Sequence, residues 1–195
     1  MMSARRSLGA AFVLLLLVGG AAAVACGRWT RPIAEGDEAL DAGRWDHALA
    51  SYALAEERLD RAPALRQLME REYARIVGAQ LWINYRLERY DEVIAKAERS
   101  PETAAPHFWS GLAYFAKSRG EGKPDAQFGW LTRAEEELRR AVEADPADWD
   151  TKYDFELVTR LAAALRKQPR VPPNQLMQLL RPQPRAGARP SRRVG

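Results

Sequence analysis

The chain has one cysteine, Cys26, and two histidines, His47 and His107, among 195 residues. A single thiol excludes an intramolecular disulfide and a cysteine-based metal centre. The histidines stand 60 positions apart, and His47 sits beside Ala48 at helical spacing, on what reads as a solvated helix face. There is no Ser/His/Asp or Cys/His set, no phosphate-cradling glycine loop and no metal-ligand spacing. The chain therefore does not read as an enzyme, and no cofactor is expected. No segment sustains the period-two alternation of Val, Ile and Thr that a half-buried strand needs. Ala, Leu, Glu and Arg dominate instead, which makes the expected fold class all-α.

Acidic residues are missing from both ends. Of the 30 basic residues, four arginines lie in 1–31 and eight basic residues in 166–195, with no acid in either segment. That leaves 18 basic against all 26 acidic residues in 32–165, a net of −8. An acidic body between two basic ends is not the profile of a nucleic-acid binder, despite a pI near 9.4.

Three domains are expected: a signal or transmembrane anchor over 1–31, a helical body over 32–166 and a tail over 167–195. Arg5 and Arg6 precede an uncharged run from Leu8 to Gly27, 20 residues long. As a helix this run measures about 30 Å, enough to span a bilayer core. It predicts a single-pass protein of the cytoplasmic (inner) membrane, held through residues 8–27, with its body facing the periplasm. Two other outcomes stay open. Ala23-Val24-Ala25 fits cleavage of a secretory signal. The stretch Ala23-Val24-Ala25-Cys26-Gly27 also resembles a bacterial lipobox, which implies lipidation of Cys26.

The body opens on Gly36-x-x-Ala39-x-x-x-Gly43-x-Trp45-x-x-Ala48-x-x-x-Tyr52-x-x-Ala55. Small and bulky residues alternate over two segments, Ile33–Ala42 and Asp46–Asp60. Ala39 and Ala48 would meet at a close helix contact, with Trp45 and Tyr52 filling the gaps. The pattern resembles the tetratricopeptide repeat (TPR), whose helix pairs recur about every 34 residues. A second, degenerate unit follows: a long helix over Ala64–Arg86, then Leu87 to Val93 as its turn, with Tyr90 in the place of Trp45. The third begins at His107 with Trp109-x-x-Leu112-Ala113-x-x-Ala116, has a polar loop over Lys117–Gln127, and ends with a helix over Trp130–Ala144. Glu135, Glu136, Glu137, Arg139 and Arg140 read as its solvated face, with pairs such as Glu135–Arg139. A last helix, Thr151–Arg166, would be capped by Asp148 or Asp150. Its apolar face would comprise Tyr153, Phe155, Leu157, Leu161 and Leu165, closing the array on one side only.

The TPR resemblance implies a short right-handed array that binds a partner on its concave face, lined by the first helix of each pair. Trp82, Tyr85, Tyr114 and Lys117 are then the groove candidates. The stretch from Asp145-Pro146 to Glu156 also resembles the end of MxaK-like proteins, small membrane-anchored TPR proteins. That resemblance implies protein partners of the von Willebrand A-domain or AAA ATPase-associated kind. It also implies a role in assembly or maturation of an envelope or dehydrogenase complex.

From Pro169 to Gly195 the tail holds six prolines and six arginines. Only Asn174–Arg181, with Leu176, Met177, Leu179 and Leu180, reads as a short amphipathic helix, too short to be stable undocked. An alternative role for the whole chain is an envelope structural protein whose basic tail binds lipid or cell-wall material.

Overall fold

Eight helices and no strand form the regular structure among the described residues, in keeping with a composition rich in Ala, Leu, Glu and Arg. The structure, a computed structural model, describes residues 2–167, without the side chains of 2–15, 18, 21–23, 25 and 26. The helices are α1 (Met2–Asp41), α2 (Trp45–Asp60), α3 (Pro63–Leu68), α4 (Glu70–Arg86), α5 (Tyr90–Ala97), α6 (Ala104–Gly120), α7 (Pro124–Ala144) and α8 (Trp149–Lys167). Neighbours in sequence pair as hairpins, α1 with α2, α4 with α5 and α6 with α7, and α8 packs on α7. Consecutive hairpins meet through α2 on α4, and through α4 and α5 on α6.

The first hairpin closes as its small residues require. Ala39, Ala48 and Tyr52 have no exposed surface, and Ala55 almost none. A Cβ placed on Gly36 would lie 2.6 Å from the Tyr52 ring, so only glycine lets α1 approach α2 this closely. In the third hairpin Gly111 has the same function, since its Cβ would meet Leu138 Cγ at 2.7 Å.

Two turns share one geometry. Gly43 has φ 69°; the Arg44 amide donates to the Ala39 carbonyl at 2.8 Å, and the Gly43 amide to Leu40 at 3.0 Å. In the α4–α5 turn Glu88 has φ 57°, Arg89 donates to Asn84 at 2.9 Å, and Glu88 to Tyr85 at 3.0 Å. Glu88 thus adopts a left-handed conformation that disfavours any residue with a Cβ.

Polar stitches join successive hairpins. Tyr52 donates its hydroxyl to Asp37 Oδ1 at 2.6 Å, and Arg75 of α4 grips both Asp37 oxygens at 2.7 and 3.1 Å. Burial pushes the Asp37 carboxyl up, but the hydrogen bonds from Arg75 and Tyr52 outweigh it and hold it below its usual range. Burial and the bond to Asp37 push the Tyr52 phenol up to about 12. Further along, Glu56 of α2 binds Lys96 of α5 and accepts from Gln80 Nε2 of α4 at 2.8 Å. The Arg75–Asp37 pair is over 40% exposed and adds at most about 1 kcal/mol. Fully buried Ile76, Leu81 and Ile83 contribute roughly 2 kcal/mol each. The apolar seam therefore holds the array together, and the ion pairs set its register.

Several expectations are corrected. Among the described residues no helix is long and apolar enough to cross a membrane, which overturns the expected single-pass inner-membrane protein held through residues 8–27. That run is not a separate element. It is the first part of α1, a helix of 40 residues that carries on through Arg28, Arg31, Glu35 and Asp37 to pack on α2. The expected lipidation of Cys26 falls outside the described side chains.

Pro32 does not end the helix either. A proline lacks the amide that would bond the carbonyl four residues back. The guanidinium of Arg58 in α2 takes over, with Nη1 donating to the Arg28 carbonyl at 2.9 Å and reaching that of Trp29 at 3.4 Å.

The expected helix over 64–86 breaks at Met69 (φ −107°, ψ 29°) into α3 and α4. The bend turns Leu65 and Met69 onto the first hairpin and leaves Leu68 83% exposed. The loop expected over 117–127 shrinks to three residues, because buried Ser118 donates to the Phe115 carbonyl at 2.6 Å and α6 runs on to Gly120. Glu135 pairs with Arg166 at 3.3 Å and not with Arg139, which binds Glu136 and Glu143. Residues 168–195, including the segment 174–181, lie outside the described residues.

Two outcomes follow from these contacts. Gly43→Ala should cost about 1 kcal/mol in urea denaturation, whereas Glu88→Gly should gain up to about 1 kcal/mol, since both act on a left-handed position. The unfolded chain ionises Tyr52 near pH 10 and the folded chain near 12, so its contribution is complete below 10 and lost as pH rises to 12. Tyr52→Phe should flatten that alkaline fall in a pH series of melts, with Tyr73, also raised to about 12, left as a second contributor.

Candidate interaction surface

The four groove candidates fall into two clusters. Trp82 on α4 meets Trp45 edge-on, with ring centroids 5.4 Å apart. One turn later Tyr85 packs between Tyr90 of α5, at 5.6 Å, and Trp109 of α6, at 5.4 Å. These rings are half-buried and lean on the core shared by α1 to α6. Burial pushes the Tyr85 phenol up, with the negative charge of Asp154 on α8 adding to it. Tyr85 therefore belongs chiefly to the joint between hairpins.

Tyr114 and Lys117 form the second cluster, together with two α7 residues. Tyr114 stacks on Trp130 at 5.9 Å with the planes 20° apart. Lys117 Nζ lies 4.8 Å above the Trp130 ring and also binds Asp91 of α5. The Arg133 guanidinium lies 5.2 Å from Trp130 and 5.8 Å from Tyr114. Two half-buried rings and two cations make a cluster, held by packing of α6 on α7, of which Arg133 is the exposed member. Burial pushes the Tyr114 phenol up, while Arg133 draws it down.

Tyr114 also forms one wall of a cavity of about 220 Å³ between α5, α6 and α7. Glu98, Glu102, His107, Ser110, Glu137 and Arg140 supply its polar lining. Glu137 Oε2 lies 2.8 Å from His107 Nδ1 and accepts from Ser110 Oγ at 3.1 Å, and Arg140 comes within 3.6 Å of Oε1. The other ring nitrogen of His107 is 3.1 Å from Glu102. Ser110 Oγ lies 3.1 Å from both Glu137 Oε2 and the His107 carbonyl, and its single proton is shared between these two acceptors. The two carboxylates sit on opposite nitrogens of one ring and cannot converge on a single cation.

Trp130, Arg133, His107 and Glu137 were not among the sequence candidates. Trp130 and Arg133 stand one helical turn apart on α7, which was a readable signal. Glu137 sits in an unbroken charged run that looks solvated, and only the fold brings it under α6. Asp148 caps α8, accepting from the amides of Asp150 at 3.0 Å and Thr151 at 3.3 Å and from the Thr151 hydroxyl at 2.6 Å.

Comparison of the chain with protein-family models, with curated proteins and with solved structures finds no match.

Replacing Glu137 by Ala should destabilise the fold by about 1 kcal/mol in urea denaturation, because it leaves His107 Nδ1 without its partner while Ser110 keeps the His107 carbonyl.

Proposed function

We propose that the chain is a short TPR-like binding scaffold that captures a segment of a partner protein against α6 and α7. The observation that carries this reading is the partly exposed stack of Tyr114 and Trp130 with Lys117 and Arg133 against it, beside a polar cavity that Tyr114 also lines. Three consecutive hairpins, the first two closed by the same turn, supply the frame that such a surface needs. Aromatic and arginine side chains of this kind are the usual anchors of a protein interface. The resemblance of residues 145–156 to MxaK-like proteins points to a von Willebrand A-domain protein or an AAA ATPase-associated protein as the partner.

The test is affinity capture with the full tagged chain against Tyr114→Ala and Trp130→Ala, compared by quantitative mass spectrometry. At least one protein should drop from the captured set by roughly 30-fold, as loss of a 2 kcal/mol anchor requires. An identical captured set from wild type and both variants, with all three melting alike, overturns the proposal.

A further inference from the structure

The last helix of the array is apolar on two sides. Its inner side packs Val158 and Ala162, both fully buried, with Phe155 and Leu165 against α7. Sequence alone assigned Tyr153, Leu157 and Leu161 to that same face, but they point outward at 69%, 37% and 40% exposure. With Trp149 they run at i, i+4 spacing, the ridge along which a further helix packs. Trp149 begins the ridge at 77% exposure, with the Lys152 ammonium 4.4 Å from its ring, and the aliphatic part of the ridge runs from Tyr153 to Leu161.

Elsewhere among the described residues α1 exposes Leu16, Leu17 and Val24, and a cavity of about 240 Å³ is lined by Trp29, Ile33, Ala55, Leu59, Leu65 and Met69. The cavity and the α8 ridge differ in charge. Arg28, Arg58 and Arg61 line the space beside the cavity at the α1–α2 end, and Arg66 follows close by in α3. The α8 ridge is flanked by three acids, Asp150, Asp154 and Glu156, against two bases, Lys152 and Arg160, of which Arg160 is paired with Glu156; burial together with the charges of Asp150 and Asp148 pushes the Asp154 carboxyl up.

We propose that the segment Asn174–Arg181 of the same chain folds back as a helix onto the Tyr153–Leu157–Leu161 ridge of α8. Reach allows it. Six residues separate Lys167 from Asn174 and span up to about 20 Å, ample for a reversal of direction. Eight helical residues cover about 12 Å, the distance from Tyr153 to Leu161. In that helix Leu176, Met177, Leu179 and Leu180 share one face, while Asn174, Gln178 and Arg181 share the other. Charge allows it too. Residues 166–195 contain eight basic residues and no acid, which matches the aspartates beside the ridge and is repelled by the arginines at the opposite end. Docking completes a fourth hairpin, with α8 as its first helix, and gives the array a closed end.

The test is amide hydrogen exchange across 153–165 in the full chain and in the full chain carrying Leu176→Asp and Leu179→Asp. Both substitutions lie outside the folded body, so the body itself remains intact. The wild type should exchange there about tenfold more slowly, the factor that 1.4 kcal/mol of docking supplies, and raised salt should narrow the gap. Equal exchange in the two chains overturns the proposal. So does protection that grows with protein concentration and is lost in Leu157→Asp but not in the tail variant, because a second copy of the chain is then the occupant.

Discussion

The approach of the Gly36 backbone to the Tyr52 ring governs the first half of the molecule. Because no Cβ intervenes, α1 and α2 close on each other and Tyr52 becomes fully buried. Its hydroxyl then reaches Asp37, and Asp37 in turn receives Arg75 from the next hairpin. One missing methyl group thus sets a helix spacing, aims a phenol and fixes where α4 begins to stack. Gly111 repeats the first of these effects against Leu138, so the two outer hairpins share a device that the middle one lacks.

Stacking depends on two apolar clusters that meet in α6. Ala113 belongs to the core built by α1 to α6, while Phe108, Tyr114 and Phe115 pack on the cluster of α7 and α8. A helix serving two cores is held from both sides, and a surface displayed beside it is correspondingly rigid. The polar contacts between hairpins follow a direction: Asp37 and Glu56 in the first reach Arg75, Gln80 and Lys96 in the second. Such pairs add little free energy when exposed, but a shifted register would leave each of them unmatched.

What could be read from the chain was local. Gly36, Ala39, Gly43, Ala48 and Tyr52 carry their meaning in spacing alone, because two helices and the turn between them fit within one short window. The all-α class followed from composition in the same way. What stayed hidden was settled by distant partners. Pro32 looks like a boundary until Arg58 supplies the missing donor. The bend at Met69 has no glycine or proline to announce it. Periodicity placed Tyr153 and Leu157 with Phe155 and Leu165, because a helix apolar on two sides gives no cue to which side its neighbour takes. In the cluster of rings and cations on α6 and α7, Tyr114 and Lys117 stand among the sequence candidates, whereas Trp130 and Arg133 join them only once the third hairpin closes.

Glu88 gives the middle hairpin a mechanical character of its own. Its strained turn leads into α5, the shortest helix apart from α3, which ends just before Ser100 and Pro101. Strain at one end and a proline break at the other leave α5 with the fewest backbone bonds of any hairpin arm. With so few bonds of its own, α5 owes its place to its neighbours: fully buried Val93 and its packing on α6 hold it.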